Sequence, residues 1–460
     1  MLLDFLNFTI PCRQLGSGLV DSGEAFGMLV LLWPSSRKGS GFCQYLVLRG
    51  RCAVFSVICA HGSFTPLECG EGCKGLRYLT GSSPLCSYMF KNRGYVLANS
   101  VLQSVALWLG LLLPSVSILQ KFFGSIGIGI YCLGAAFGIW VSRLALRISE
   151  RSALCLSIAV FVALGLFFVV VYPAVNVQVP GLGGDDDDAM NIGALELIHG
   201  HFPYYVRTYL GNEIHHLPGA LLLAAPFVIL GTSGLQNLAW LIMFFFVLCR
   251  QLGRASAALR WFLLFLFSPI VLQQVATGVG HVTNAIYVML GLWWLVTAER
   301  KILPALAWGV TLASRANFLL LIPLAFGWLN SRYGWRCSAN WLLWTCFSCA
   351  VLTVPFYFHD PSNFSPLQAV DRLSQFDDVI PHAGWAIAIL MLSASIVLAG
   401  TPMRTASNLW RNCALVQAVP VIIGSLLGRD LGFLAYGTFF LCFVIFTAAT
   451  ADQVESSSKR

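Results

Sequence analysis

SALCLSIAVFVALGLFFVVVYP, residues Ser152 to Pro173, is an uncharged apolar run, and it is followed within a few residues by PGLGGDDDDAMNIGALELIHGHFPYYVRTYLGNEIHHLPG, Pro180 to Gly219. The first stretch exceeds the roughly 18 apolar residues that mark a membrane-spanning helix. The second is hydrophilic. After a Gly/Pro turn come four consecutive carboxylates, Asp185 to Asp188, and then a helix-prone run, Ala189 to His199. Aromatics (Phe202, Tyr204, Tyr205, Tyr209) and polar groups (Arg207, Asn212, Glu213, His215, His216) complete it. A polar segment of this length between spans is either a solvated connector or a reaction site at the bilayer surface, and it reads here as the site.

Outward from this pair, the whole chain is oily. Hydrophobic residues make up 57% and charged residues 10%, against about 45–50% and 25% in a soluble domain. The fold class expected is all-α: a polytopic transmembrane bundle of roughly 10–12 spans, with short interfacial helices in a long first loop. The net charge of +8 sits mostly on Arg and Lys at helix ends, where it sets orientation, so no nucleic-acid partner is expected. Most cysteines beyond residue 90 stand singly in apolar helices, where a free thiol behaves as a small hydrophobe. Cys69 and Cys73 lack a partnering pair at zinc spacing, and no metal or other cofactor is expected.

Four segments follow from the pattern. Residues 1–90 carry no clean span and no signal-peptide grammar, and are expected to be poorly ordered or a spurious extension. Residues 91–151 form a hairpin, Tyr95–Leu119 and Phe122–Val141. Residues 152–450 are the main transmembrane domain, with the acidic loop at 175–216, and 451–460 are a tail. Arg143, Arg147 and Arg151 place the hairpin connection in the cytoplasm by the positive-inside rule. The acidic loop is then extracytoplasmic and the C-terminus cytoplasmic, in a plasma or inner membrane. Leu217–Leu230 is too short to cross, about 21 Å as a helix, and is expected to lie in the interface, with Gln236–Leu248 crossing instead. Ser256–Val275 crosses outward, Gly278–Asn284 is an external turn and Ala285–Val296 returns. Leu303–Leu329 is too long for one span and is broken at Ser314-Arg315-Ala316-Asn317, which predicts two half-helices. Trp341–Phe358, Ala383–Leu398, Cys413–Leu427 and Phe433–Thr447 complete the alternation, with a second polar loop at His359–His382. Lys121 and Arg429 depart from the charge rule.

The chemistry concentrates in few residues. Adjacent carboxylates repel, so at least one of Asp185–Asp188 has a raised pKa unless a cation is close. A tetra-Asp is either a solvated acidic turn or, at the start of a helix, a capping group held in a fixed pose. His215 and His216 are interfacial histidines or ligands for an anion. Arg315, a cation within a membrane hairpin, either faces a cavity or partner or snorkels to the interface. Asp360, Asp371, Arg372, Asp377 and Asp378 read as a solvated second loop.

These pieces resemble the C-class glycosyltransferases, multi-pass enzymes that take a sugar from a polyprenyl-phosphate carrier. The matching pieces are Asp187-Asp188, Ala189–Gly200, HFPYY at 201–205 and Asn212–Gly219, with further likeness to uncharacterised bacterial members in SPIVLQQVATGVGHVTNA (268–285), ASRANFLLLIPL (313–324) and DPSNFSPLQAVDRL (360–373). The likeness covers about residues 150–450 and fixes no sugar. It implies Asp187, with Asp188 beside it, as general base on an acceptor hydroxyl, and a glycan or glycolipid acceptor at the outer face. Arg207, Asn212, His215, His216, His281, Asn284 and Arg315 are the candidate substrate-binding residues. Some relatives carry a second acidic residue where Gly280-His281…Asn284 stands, and this chain has no carboxylate there. The rival class is a transporter or flippase of a lipid-linked or small polar substrate. It predicts paired broken helices and an internal repeat; one broken helix and no clear repeat are visible in the sequence.

Overall fold

The long helix α1 (Pro84–Arg143) breaks at Gly124, whose φ of 61° and ψ of −163° lie in a region open to glycine alone. The chain doubles back there. The Trp108 indole N–H donates to the Cys132 carbonyl at 2.9 Å and the Tyr131 hydroxyl to the Leu111 carbonyl at 3.4 Å. One continuous helical stretch thus supplies both arms of the hairpin expected at 95–141.

The computed structural model describes the backbone of residues 29–34, 43–49, 52–58, 84–143, 148–178, 184–368, 377, 381–403 and 405–458. The chain divides into two compact units, Met1–Phe90 and Lys91–Arg460. In the first, strands β1 (Leu29–Pro34), β2 (Cys43–Arg49) and β3 (Cys52–Ile58) pair in order as an antiparallel sheet. The expectation of poor order for the rest of 1–83 falls outside the described residues, as do Asp371, Arg372 and Asp378.

The membrane unit is all-α. After α1 come α2 (Glu150–Val175), α3 (Asp186–Ile198), α4 (Pro218–Ile229), α5 (Leu235–Leu252), α6 (Ala255–Leu266), α7 (Pro269–Thr277) and α8 (His281–Thr297). Then follow α9 (Ile302–Leu312), α10 (Ile322–Tyr333), α11 (Trp335–His359), α12 (Ala383–Gly400), α13 (Ala406–Gly428) and α14 (Thr438–Ser458). Among the described residues, seven helices are long and apolar enough to cross a membrane, or eight if the bent pair α6–α7 counts as one span. That is fewer than the 10–12 expected. Two differences have clear causes. The expected straight span Ser256–Val275 is bent by 77° between α6 and α7, because Pro269 has no N–H to continue the ladder and instead opens α7. The expected return span Ala285–Val296 belongs to α8, which is only 17 residues long.

Helix α8 is the central element: every residue from His281 to Leu292 is buried. A helix apolar all round is stable only when other helices enclose it. In contrast, α1 and α2 expose large apolar side chains, Val169 at 68% and Val170 at 70% among them, as a lipid-facing surface does.

The helix ends sort into two groups. At one end, the Glu150 carboxylate accepts from the amides of Ala255 and Ser256 (2.7 and 3.3 Å), capping α6 across the bundle. Arg260 donates to the Ser142 carbonyl, Trp293 to Gln251, and Gln251 to Gln453. At the other end, Tyr205 donates to Asp360 and the Ser365 hydroxyl to the Ile214 carbonyl, so the acidic loop and the second polar loop pack together.

Candidate functional site

The site is built where the α9–α10 pair is interrupted. Helix α9 stops at Leu312, a 3₁₀ turn runs from Ala316 to Leu321, and α10 begins at Ile322, so the two half-helices expected around Ser314–Asn317 are present. The break leaves the last carbonyls of α9 without intrahelical partners. The acidic loop supplies them: Leu217 N–H donates to Ser314 O at 3.1 Å and Gly219 N–H to Ala313 O at 2.7 Å. This approach requires a glycine, since a Cβ at 219 would fall 2.5 Å from the Ala313 oxygen and into the Val310 oxygen. On the other side of the break Asn317 Nδ2 donates to Gln417 Oε1 at 2.6 Å, and Gln417 Nε2 donates to the Asn317 backbone carbonyl at 3.1 Å.

Docking this loop brings His216 to Arg315. The Arg315 Nη2 donates to His216 Nε2 at 2.9 Å and lies 3.7 Å from Asp186 Oδ1, while His281 Nε2 lies 2.9 Å from Asp186 Oδ2. With the Asn284 amide turned so that its oxygen faces Arg315, that oxygen accepts from Nε at 3.0 Å and the amide nitrogen donates to Gly280 O. The Arg315 guanidinium also lies 5.8 Å from the centre of the Phe439 ring, and Tyr436 and Phe439 flank the His281 ring. Arg315 thus faces partners rather than snorkelling. Asp186 is the most open member, with 35% of its side chain exposed against 10% for His281 and 14% for Arg315.

Charge follows from this geometry. Burial opposes ionisation of Asp186, but the neighbouring His281 and Arg315 outweigh it and hold the carboxyl well below the usual carboxylate range. Burial and the neighbouring Arg315 charge hold the His216 ring well below the usual imidazole range. His216 is therefore neutral. Because arginine only donates, its Nε2 carries the lone pair and its Nδ1 the proton; that Nδ1 is buried without a hydrogen-bond partner among the described residues.

The other three aspartates face elsewhere. Asp187 accepts from the Tyr172 hydroxyl at 2.8 Å. Burial pushes its carboxyl up to about 6; the Tyr172 bond pulls the other way, and the charges of Asp188 and Asp186 add to the rise. Asp188 accepts from Gln178 Nε2 at 3.1 Å and Tyr209 N–H at 3.0 Å. Asp185 stands at the N-cap of α3 yet makes no capping bond; its carboxylate is taken instead by the Thr208 hydroxyl and by Asn212 Nδ2 at 2.8 Å. Of the two readings of the cluster, solvated turn or cap, neither describes Asp185, whose carboxylate clamps the following loop.

The sequence-derived candidates therefore separate. His216, His281, Asn284 and Arg315 meet. Asp187 stands beside them on the next face of α3. Asp188 and Asn212 are tied into the loop backbone, and Arg207 pairs with Glu213 at 2.9 Å on the exposed side. His215 Nδ1 lies 3.3 Å from Ser365 O, joining the two polar loops. His281 and Asn284 lie in the first turn of α8 rather than in the expected external turn, which ends at Gly280. Sequence reasoning passed over Asp186, and also Asn237 and Gln274, which fix the 278–282 turn. Asn237 Nδ2 donates to Gln274 O and Val279 O, Thr283 donates to Asn237, and Val282 N–H donates to Gln274 Oε1 at 2.8 Å. In the second loop, Asp360 accepts from Ser362 and Asn363, which hold its carboxyl below the usual range.

Compared with family models, with curated proteins and with solved structures, the chain matches none. By helix length and hydropathy it is a multi-pass helical membrane protein. The likeness to the C-class glycosyltransferases rests on the residues quoted above alone.

Proposed function

We propose that this protein is a membrane glycosyltransferase that moves a sugar from a polyprenyl-phosphate carrier to an extracytoplasmic glycan or glycolipid acceptor, with Asp187 as general base. The observation that carries the reading is the division of charge across the first turn of α3. Asp186 is paired with the Arg315 guanidinium and held by a hydrogen bond to His281, whereas Asp187, with no cation on it, is raised to about 6. Two carboxyls pushed apart in this way suit two roles, and a base near the working pH is the more effective.

In the proposed step Asp187 takes the proton of an acceptor hydroxyl. The acceptor oxygen bonds to the anomeric carbon with inversion, and the bond from that carbon to the carrier phosphate breaks. The electron pair leaves with the phosphate, whose charge grows from one negative to two. Arg315 supports that charge, with His281 beside it as a hydrogen-bond donor. Asp186 keeps both oriented in the absence of the donor.

The test is transfer by the purified chain in nanodiscs, from a labelled polyprenyl-phosphate sugar. Asp187→Asn should lower the rate by about 10²–10⁴ and Arg315→Lys should lower it as well, with both variants folded. Transfer unchanged in Asp187→Asn removes the assignment.

A second reading is supported by one observation. The bend between α6 and α7 and the break between α9 and α10 make a pair of discontinuous helices, which alternating-access transporters use at their sites. Counterflow of a lipid-linked sugar in proteoliposomes, with no transfer chemistry, would favour it.

A further inference from the structure

Beside Asp187, with no member of the Arg315 cluster in its lining, there is a recess of about 140 Å³, lined chiefly by Tyr172, Asn176, Gln178, Asp187, Asn191 and Tyr209. Its walls come from regular spacing: Tyr172 and Asn176 are four apart at the end of α2, and Asp187 and Asn191 four apart on α3, so each pair shares a helix face. Asp187 is the single charged residue in the lining, and no Lys, Arg or His joins it.

The amides are oriented by bonds to the protein. Asn176 Nδ2 donates to Thr277 O at 3.0 Å, Gln178 Nε2 donates to Asp188, and Asn191 Oδ1 accepts from Ser233 N–H at 2.6 Å. These bonds leave Asn176 Oδ1, Gln178 Oε1 and lone pairs of Asp187 as acceptors, with Asn191 Nδ2, beside the Tyr172 hydroxyl, and the Tyr209 hydroxyl, which has no partner among the described residues, as donors. The lining is therefore rich in acceptors. It complements a ligand that offers several O–H donors and it disfavours an anion, whose charge would meet Asp187 without a balancing cation. The volume is well below the roughly 300–1,000 Å³ of sites for drug-sized ligands, which suits one ring rather than an oligosaccharide or a lipid chain.

We infer that this recess binds a single uncharged sugar unit and discriminates against acidic sugars. Calling that sugar the acceptor rests on the proposed transferase reading; the binding itself does not. Phosphate-bearing groups belong instead to the Arg315 face of α3.

The test uses the full chain in nanodiscs and saturation-transfer NMR. The probes are the methyl glycosides of glucose, galactose, mannose and N-acetylglucosamine, with glucuronate and glucose 6-phosphate as charged counterparts. At least one neutral glycoside should bind, about tenfold more tightly than its charged counterpart. Tyr209→Phe removes only an unpartnered hydroxyl, so it should fold and weaken binding roughly two- to tenfold. Asp187→Asn should narrow the gap between neutral and charged probes. Absence of binding by every neutral glycoside, equal binding of the acids, or Tyr209→Phe binding as tightly as the parent would overturn the inference. Binding without transfer in the donor assay would leave it standing while removing the transferase reading; transfer without binding would do the reverse.

Discussion

Folding takes the Asp187 carboxyl out of water and gives it a single hydroxyl donor, so the folded state holds its proton more firmly than the unfolded chain does. Its pKa rises from 3.8 to about 6. A group whose folded pKa is raised contributes stability that is intact below the unfolded pKa and is lost as pH rises through the folded one. The penalty is therefore absent below about pH 4, grows between pH 4 and 6, and is complete above, at about 3 kcal/mol. Asp187→Asn should be more stable than the parent at pH 8 by up to that amount, because an amide can still accept from Tyr172. The gain should vanish below pH 4 in thermal unfolding followed at both values; a gain equal at the two pH values would show that charge is not its source. The same titration predicts that transfer falls as pH drops through about 6. Asp186 illustrates why residues this close were hard to separate in the sequence. Neighbours on a helix point about 100° apart, so a one-residue shift in where α3 begins exchanges which aspartate meets His281 and which meets Tyr172. Four identical residues in a row carry no internal signal of that register.

At the level of elements, the break in α9–α10 was legible because a span too long for the bilayer contained Ser-Arg-Ala-Asn at its centre. What the pattern did not contain was the partner of the break. Leu217 and Gly219 are about a hundred residues away, and nothing in their own neighbourhood says that their amides satisfy α9. The close approach at Gly219 makes the pairing testable. Gly219→Ala puts a methyl group against two backbone carbonyls that cannot move without opening the loop. A cost of about 1–3 kcal/mol is expected, with loss of the His216–Arg315 contact. Gly165, in lipid-facing α2, has open space around it, so Gly165→Ala should stay within about 1 kcal/mol of the parent. Thermal unfolding in one detergent compares the two; equal midpoints would mean that the loop does not dock on α9 as described. The α6–α7 bend was missed for a related reason. Pro269 was read inside a continuous apolar run, yet a proline there ends one helix and starts another, and the buried Ser115–Ser268 bond of 3.0 Å holds the corner.

The whole molecule has two ends of different character. The acidic loop, the second polar loop and the Asp186–Arg315 cluster lie together at one end, joined by Tyr205–Asp360 and Ser365–Ile214. At the other lie Glu150 with Ala255, Arg260 with Ser142, and Trp293 with Gln251, near Arg250, Arg254, Arg300 and Lys301. Helix parity and arginine placement implied such a division from sequence; the lipid-facing sides of α1 and α2 were equally plain, because apolar residues there need no partner. The excess of Arg and Lys at the second end is the ground for expecting that end on the cytoplasmic side. The prediction is made with single cysteines in a background lacking the exposed native Cys155, Cys337 and Cys346. His201→Cys and Ser362→Cys, both exposed, should react with a membrane-impermeant maleimide added to intact cells. Glu299→Cys should react only after permeabilisation. Labelling of Glu299→Cys alone from outside would reverse the orientation and remove an outward-facing donor site while leaving the fold intact. Opposite sidedness for His201→Cys and Ser362→Cys would go further, because two loops that touch cannot lie on opposite faces of a bilayer, and the packing that assembles the Asp186–Arg315 cluster would fall with it.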